Sequence, residues 1–68
     1  MNEEQVIDLV KLRSILKFQG RKNMWLSLIL SVTPETFSLW LSGKRDFPSE
    51  YIAPTAIALG VPIRMLVK

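Results

Sequence analysis

Residues 20–43 constrain the fold of this chain most, because they hold two short apolar segments separated by a sharp break. Leu26 and Leu30 lie about one helical turn apart before the break, and Phe37 and Trp40 lie about one turn apart after it. Each pair therefore occupies one face of its own predicted helix. Four apolar side chains on two such faces predict two helices that cross and share one interior.

The predicted helices can approach closely, because the residue expected at their crossing is the small Ser27. Val32 adds an apolar side chain in the turn between them. Two short helices joined by a turn of three or four residues form a helix-turn-helix. We predict this motif over about residues 23–42, with the N-terminal end of its second helix projecting outward.

The second helix of the motif has the clearest start signal in the chain. Thr33 offers a capping hydroxyl, Pro34 suits the first helical position and Glu35 places an acid in the first turn. Gly43 is the expected stop of this helix, and Asn23 is the expected N-cap of the helix before it.

The flanking segments also have helical spacing of their apolar residues. We predict a first helix over residues 3–19 with Asn2 as its cap, and a short last turn over residues 61–67. A further helix is expected over residues 49–59, either kinked at Pro54 or beginning there. The chain is thus expected to form one all-α domain, a compact bundle of four to five helices over residues 1–68.

The composition excludes several function classes. The 68 residues include no cysteine and no histidine, so the chain lacks disulfides, thiolate ligands and the commonest general base. It also lacks a glycine-rich phosphate loop. We therefore expect no enzyme activity, no metal, no cofactor and no small-molecule substrate.

The apolar content of 49% does not indicate a membrane protein. The longest apolar run, residues 24–30, is interrupted by Ser27 and is far shorter than the roughly 20 residues of a membrane-spanning helix. The first residues lack the basic segment of a signal peptide. The expected location is the cytoplasm, with no membrane partner.

The chain resembles the helix-turn-helix family of Cro and the phage repressors, often called XRE-type or lambda-repressor-like. That family carries, in order, a polar residue, Leu-Ala, Leu-Gly-Val, a Ser or Thr cap, Ile-Ser and Gly-Lys-Arg. This chain follows the same order without gaps. The matching positions are Asn23, Leu26-Ser27, Leu30-Ser31-Val32, Thr33, Phe37-Ser38, Gly43-Lys44-Arg45 and, near the end, residues 56–61.

The resemblance implies a small Cro-like transcriptional regulator that binds double-stranded operator DNA. The net charge of +3 suits contact with phosphates. Since regulators of this type often pair about a two-fold axis, the oligomeric state stays open between a monomer and a homodimer. The DNA-contacting residues that the resemblance implies are Asn23, Thr33, Pro34, Glu35, Thr36, Ser38, Leu39, Lys44 and Arg45.

A second hypothesis rests on the residues that are missing from the expected DNA-reading helix. No Gln, Arg, Lys or Asn stands between Pro34 and Leu41, although these residues read guanine and adenine best. The outward positions of the motif, Leu41 included, are instead apolar, and such patches mark a contact with another protein. Alternatively, part of this set is core, with Trp25 and Ile29 covered by a neighbouring helix and Leu41 packed under the Phe47 loop. If the set is a contact surface, the chain would be an antirepressor or modulator that binds another repressor protein and blocks its DNA binding. The interface would comprise Met24, Trp25, Leu28, Ile29 and Leu39.

The basic residues outside the motif carry less information. Lys11, Arg13 and Lys17 are interpreted as the solvated face of the first helix. Lys44 and Arg45 are either a phosphate clamp or part of a solvated loop.

Overall fold

Four α-helices and two short 3-10 turns build residues 6–68, the part of the chain that the computed structural model describes. The prediction of an all-helical domain is confirmed. No single helix in this part is both long and apolar enough to cross a membrane. The elements are α1 (Leu9–Gln19), α2 (Asn23–Ile29), α3 (Pro34–Ser42), a first 3-10 turn (Ser49–Tyr51), α4 (Ile52–Leu59) and a second 3-10 turn (Ile63–Met65).

Helix α1 begins later than the predicted residue 3. The Asp8 carboxylate is the N-cap and accepts hydrogen bonds from the backbone N–H groups of Val10 and Lys11 at 3.0 and 3.2 Å. Before it, Ile7 forms an isolated antiparallel bridge with Val67 near the other end of the chain. This pairing holds the backbone extended, so the helix starts only at the cap. The predicted cap Asn2 lies outside the described residues.

The bounds of α2 and α3 follow the prediction closely. The Thr33 hydroxyl caps α3 by accepting the Thr36 N–H at 3.1 Å, and Gly43 ends the helix in the left-handed conformation. Asn23 is wrong as an N-cap, however, because the capping position of α2 is Lys22 and no side chain bonds to the helix there.

The segment containing Pro54 forms a 3-10 turn followed directly by an α-helix. The first 3-10 turn leads directly into α4, so Pro54 lies in the first turn of α4, where a backbone N–H has no helical partner to lose. The Thr55 hydroxyl is fully buried and donates to the Tyr51 carbonyl at 2.7 Å. The helix therefore begins just before the proline, without a break inside it.

The predicted interior of the motif is confirmed. Leu26 and Phe37 are fully buried, Leu30 and Trp40 are nearly so, and Val32 packs half-buried against the same core. An aromatic cluster extends this core beyond α3. Its ring contacts join Phe37 to Trp40 and Phe47, and Trp40 to Phe47 and Tyr51, with centroids 5.1 to 6.5 Å apart.

The connection between α2 and α3 is short and sharply bent. It comprises residues 30–33, and the helix axis turns by 115° across it. Ser27 is fully buried at this crossing, and its hydroxyl donates to the Met24 carbonyl at 2.8 Å. Ser31 adopts a φ of 61°, which makes it the one non-glycine residue with positive φ in the described chain. The bend thus forces an L-residue into the left-handed region.

Replacing Ser31 with glycine should stabilise the domain, because glycine adopts a positive φ without the steric cost that a Cβ atom imposes. We expect Ser31→Gly to raise the free energy of unfolding by about 1 kcal/mol, measured by urea denaturation. The matched control is Ser14→Gly in the exposed middle of α1, which should lower it by about 0.5 kcal/mol, because glycine is the weaker helix former of the two. If both variants change the free energy of unfolding by the same amount in the same direction, Ser31 is not strained.

Candidate functional site

An open cleft of about 420 Å³ lies where α1 meets the α2–α3 pair. Leu16 and Leu41, both nearly buried, form its apolar part. Its remaining walls are polar and come from α1, from the connection after it, from the start of α2 and from the second half of α3. We call this surface the basic cleft, and its polar residues are Arg13, Lys17, Arg21, Asn23, Ser38 and Ser42.

The basic cleft carries positive charge without an acid to balance it. Arg13, Lys17 and Arg21 line it, and no Asp or Glu does. The acids of the described chain stand elsewhere, at the cap of α1, in the first turn of α3, in the loop after α3 and in the first 3-10 turn. A concave surface lined by one sign of charge focuses the field and concentrates ligands of opposite charge. The cleft is therefore suited to an anion.

Arg13 is held in place by the end of α3. Its Nη1 donates to the Leu41 carbonyl at 2.6 Å, which ties α1 to α3. This carbonyl belongs to the last turn of α3, where backbone acceptors lack helical partners and a cation complements the helix dipole. The guanidinium has five N–H donors in all, so this bond leaves donors for a ligand.

Arg21 is held by an aromatic ring. Its guanidinium carbon lies 4.2 Å from the centroid of the Trp25 ring, a cation–π contact. The contact joins the edge of the basic cleft to the first turn of α2. Asn23, the first residue of α2, also lines the cleft, so one of the predicted DNA contacts lies among these cations.

The predicted contact residues at the N-terminal end of α3 differ in their exposure to solvent. Pro34 and Glu35 are exposed, whereas Thr36 is half-buried. The Thr33 hydroxyl accepts the Thr36 N–H and donates to the Thr36 hydroxyl at 2.8 Å. One turn later Ser38 is exposed and lines the basic cleft. The two threonine hydroxyls are thus engaged with each other.

The remaining predicted DNA contacts lie at or near the C-terminal end of α3. Lys44 and Arg45 are exposed, and their backbone N–H groups both donate to the Leu39 carbonyl at 3.1 and 3.2 Å. These bonds fold the loop back against the helix. Leu39 itself is half-buried. Neither cation lines the basic cleft, so they form a separate positive site at the end of α3.

The outward face of α2 is apolar, as expected for the second hypothesis. Met24, Leu28 and Ile29 are 59%, 68% and 48% exposed, and Trp25 is half-buried under Arg21. Leu41 does not point outward with them, and the alternative expectation that it packs in the core is confirmed. Its exposure is only 5%, because α1 packs over the last turn of α3.

The basic cleft is the feature that sequence reasoning missed. The three basic residues of α1 are exposed, as expected, but only Arg13 and Lys17 line the cleft, whereas the Lys11 ammonium donates to the Val67 carbonyl at 2.8 Å. The available signal was the spacing of Arg13, Lys17 and Arg21, each four residues after the last. That spacing places cations along one side of a helix and just beyond its end.

Comparisons with known proteins do not assign the chain to a family. No protein-family model matches the chain, and no curated protein matches its sequence significantly. The resemblance to the Cro and phage-repressor family therefore stays a prediction from the motif.

The Thr33 cap can be tested by substitution. Thr33→Ala removes the hydroxyl that accepts the Thr36 N–H, so it should lower the free energy of unfolding by about 1 kcal/mol. Thr33→Ser keeps a capping hydroxyl and should remain within a few tenths of a kcal/mol of the parent. Urea denaturation of both variants measures the difference, and equal stability of the two would show that the cap contributes nothing.

Proposed function

We propose that this chain is a small helix-turn-helix regulator of transcription that binds double-stranded DNA. Helices α2 and α3 provide the motif, since a turn of 115° over a four-residue connection lies within the range of such motifs. The left-handed Ser31 supports the resemblance to the phage-repressor family, because it occupies the position of the glycine in that family's Leu-Gly-Val turn.

The observation that carries the proposal is the basic cleft. Phosphate contacts in protein–DNA complexes come from Arg and Lys, from Asn and Ser side chains and from backbone amides. The cleft offers Arg13, Lys17 and Arg21 together with one Asn and two Ser side chains, and no acid. The α2–α3 pair forms one wall of it. We infer that the DNA backbone runs along this cleft while α3 enters the major groove.

Base reading would fall to the side of α3 that carries the exposed Glu35 and the half-buried Thr36 and Leu39. Glu35 can accept a hydrogen bond from the amino group of cytosine, and Leu39 offers an apolar contact for a thymine methyl group. Thr36 can contribute its methyl group and the proton of its hydroxyl, because that hydroxyl only accepts a hydrogen bond from Thr33. Because none of these residues makes a bidentate contact to guanine or adenine, phosphate contacts supply most of the affinity in this proposal.

A second set of phosphate contacts would come from the loop after α3. Lys44 and Arg45 are exposed there, and the backbone bonds to the Leu39 carbonyl fix the start of the loop. The adjacent Asp46 is also exposed and offsets part of their charge. We therefore assign the larger share of phosphate binding to the basic cleft.

The antirepressor hypothesis is less consistent with the charges of the described chain. It requires this chain to cover the DNA-reading surface of another repressor, and such surfaces are basic. Arg21 and Lys22 border the apolar face of α2, so like charges would meet. DNA is the ligand that the same cations attract.

The proposal predicts DNA binding that depends strongly on salt and on the basic cleft. We expect the parent chain to bind a random duplex at about 50 mM salt in a fluorescence anisotropy titration. A plot of log affinity against log salt concentration has a negative slope. Lys17→Gln should reduce the magnitude of this slope by about one, because one phosphate contact is lost.

The control variant for this titration is Arg64→Gln. Arg64 is an exposed cation on the second 3-10 turn and does not line the basic cleft, so the substitution removes the same charge elsewhere. Its salt slope should match that of the parent. Absence of binding at about 50 mM salt would refute the proposed function. Equal slopes for the two variants would refute the assignment of the cleft.

A further inference from the structure

Helix α2 presents an apolar ridge to solvent. Met24 and Leu28 lie one turn apart, as do Trp25 and Ile29, so the four side chains form two adjacent rows. The row of Met24 and Leu28 lies opposite Leu26, which is fully buried in the core. Met24 and Leu28, the most exposed of the four, form the centre of the surface that we call the apolar ridge.

The apolar ridge has a basic border at one end. Lys22 caps α2 through its backbone and is exposed, and Arg21 stacks on Trp25 while also lining the basic cleft. No acidic residue lies within α2 or lines the cleft beside it. A ligand that covers the ridge and its border must therefore combine apolar side chains with negative charge.

We propose that the apolar ridge is the docking surface for an acidic amphipathic helix of a partner protein. The apolar side of that helix would pack on Met24 and Leu28, as helices do when their ridges interdigitate. Its carboxylates would meet Arg21 and Lys22, which gives the complex its charge complementarity. A second copy of this chain fits less well, because it brings the same apolar ridge and the same cations.

Docking would also regulate the proposed function, on which this part of the inference rests. Arg21 belongs both to the basic cleft and to the border of the apolar ridge. A carboxylate bound to Arg21 would neutralise the charge that attracts a DNA phosphate, and the two anions would repel each other there. The partner helix would therefore lower the affinity of this chain for DNA. Its contacts with the apolar ridge would stabilise the docked complex, and DNA makes no such contacts.

The first experiment measures docking without DNA. The probe is a synthetic peptide of about four helical turns, with leucines at helical spacing on one side and glutamates on its flanks. Titration should give a saturable change in tryptophan fluorescence, because Trp25 is half-buried beside Arg21 whereas Trp40 is buried in the core. A peptide with lysines in place of the glutamates, and one with serines in place of the leucines, should each bind at least about tenfold more weakly.

Matched variants locate the docking surface. Leu28→Ser should weaken binding of the acidic peptide about tenfold, because it removes a central contact. Val10→Ser removes an apolar side chain of similar exposure, 65%, from the outer side of α1 and should change the affinity less than about twofold. Circular dichroism checks that both variants keep the fold. Equal affinities of the two variants, or of the acidic and basic peptides, would overturn the proposal.

Sedimentation of the unliganded chain tests the competing occupant. A concentration-dependent dimer that Leu28→Ser abolishes would assign the apolar ridge to a second copy and overturn the proposal. A monomer at the concentrations of the titration supports it.

A final titration separates the two proposals. The acidic peptide should displace a bound DNA duplex from the parent chain and should fail to do so from Leu28→Ser. The DNA affinity of this variant should equal that of the parent, because Leu28 does not line the basic cleft. If the parent chain binds no DNA, the proposed function is wrong and the fluorescence titration alone decides docking. If the peptide docks without displacing DNA, the regulatory part of the inference is wrong.

Discussion

Burial of Phe37 is the constraint on which the rest of this structure depends. Its side chain is fully buried and packs edge-on against Trp40 and Phe47 with ring centroids 6.3 and 6.5 Å apart. These contacts hold α3 to the loop that follows it, and Trp40 extends them to Tyr51 before α4. In so small a domain a single core carries nearly all of the packing energy. Truncation of the Phe37 side chain would therefore weaken the packing of every helix at once.

This packing also determines which surfaces remain for ligands. With Leu26 and Leu30 directed into the core, the opposite side of α2 must face solvent, and that side is apolar. The same crossing brings the second half of α3 beside α1, so that Arg13 reaches the Leu41 carbonyl and the basic cleft opens between the elements. A basic surface and an apolar surface thus lie side by side and share Arg21.

The candidate site could be predicted only in part. The Thr33 cap, the exposed Pro34 and Glu35 and the apolar outer face of α2 follow from helical spacing and capping rules, which need only a few neighbouring residues. Such rules place Arg13 and Lys17 on one side of α1, but they do not reveal the cleft that these cations line. Its cations come from α1 and from the connection after it, and they became a site only when α3 packed beside them.

The sequence by itself determined where most of the helices begin and end and which of their faces are apolar, because caps, glycine stops and apolar spacing act within one or two helical turns. Tertiary structure decided that α1 begins after Asp8, because Ile7 pairs with Val67 from the opposite end of the chain. It also decided that Leu41 is buried and that Arg13 lines a cleft, because both depend on α1 packing against α3. Contacts between residues far apart in sequence leave no local pattern from which they could have been inferred.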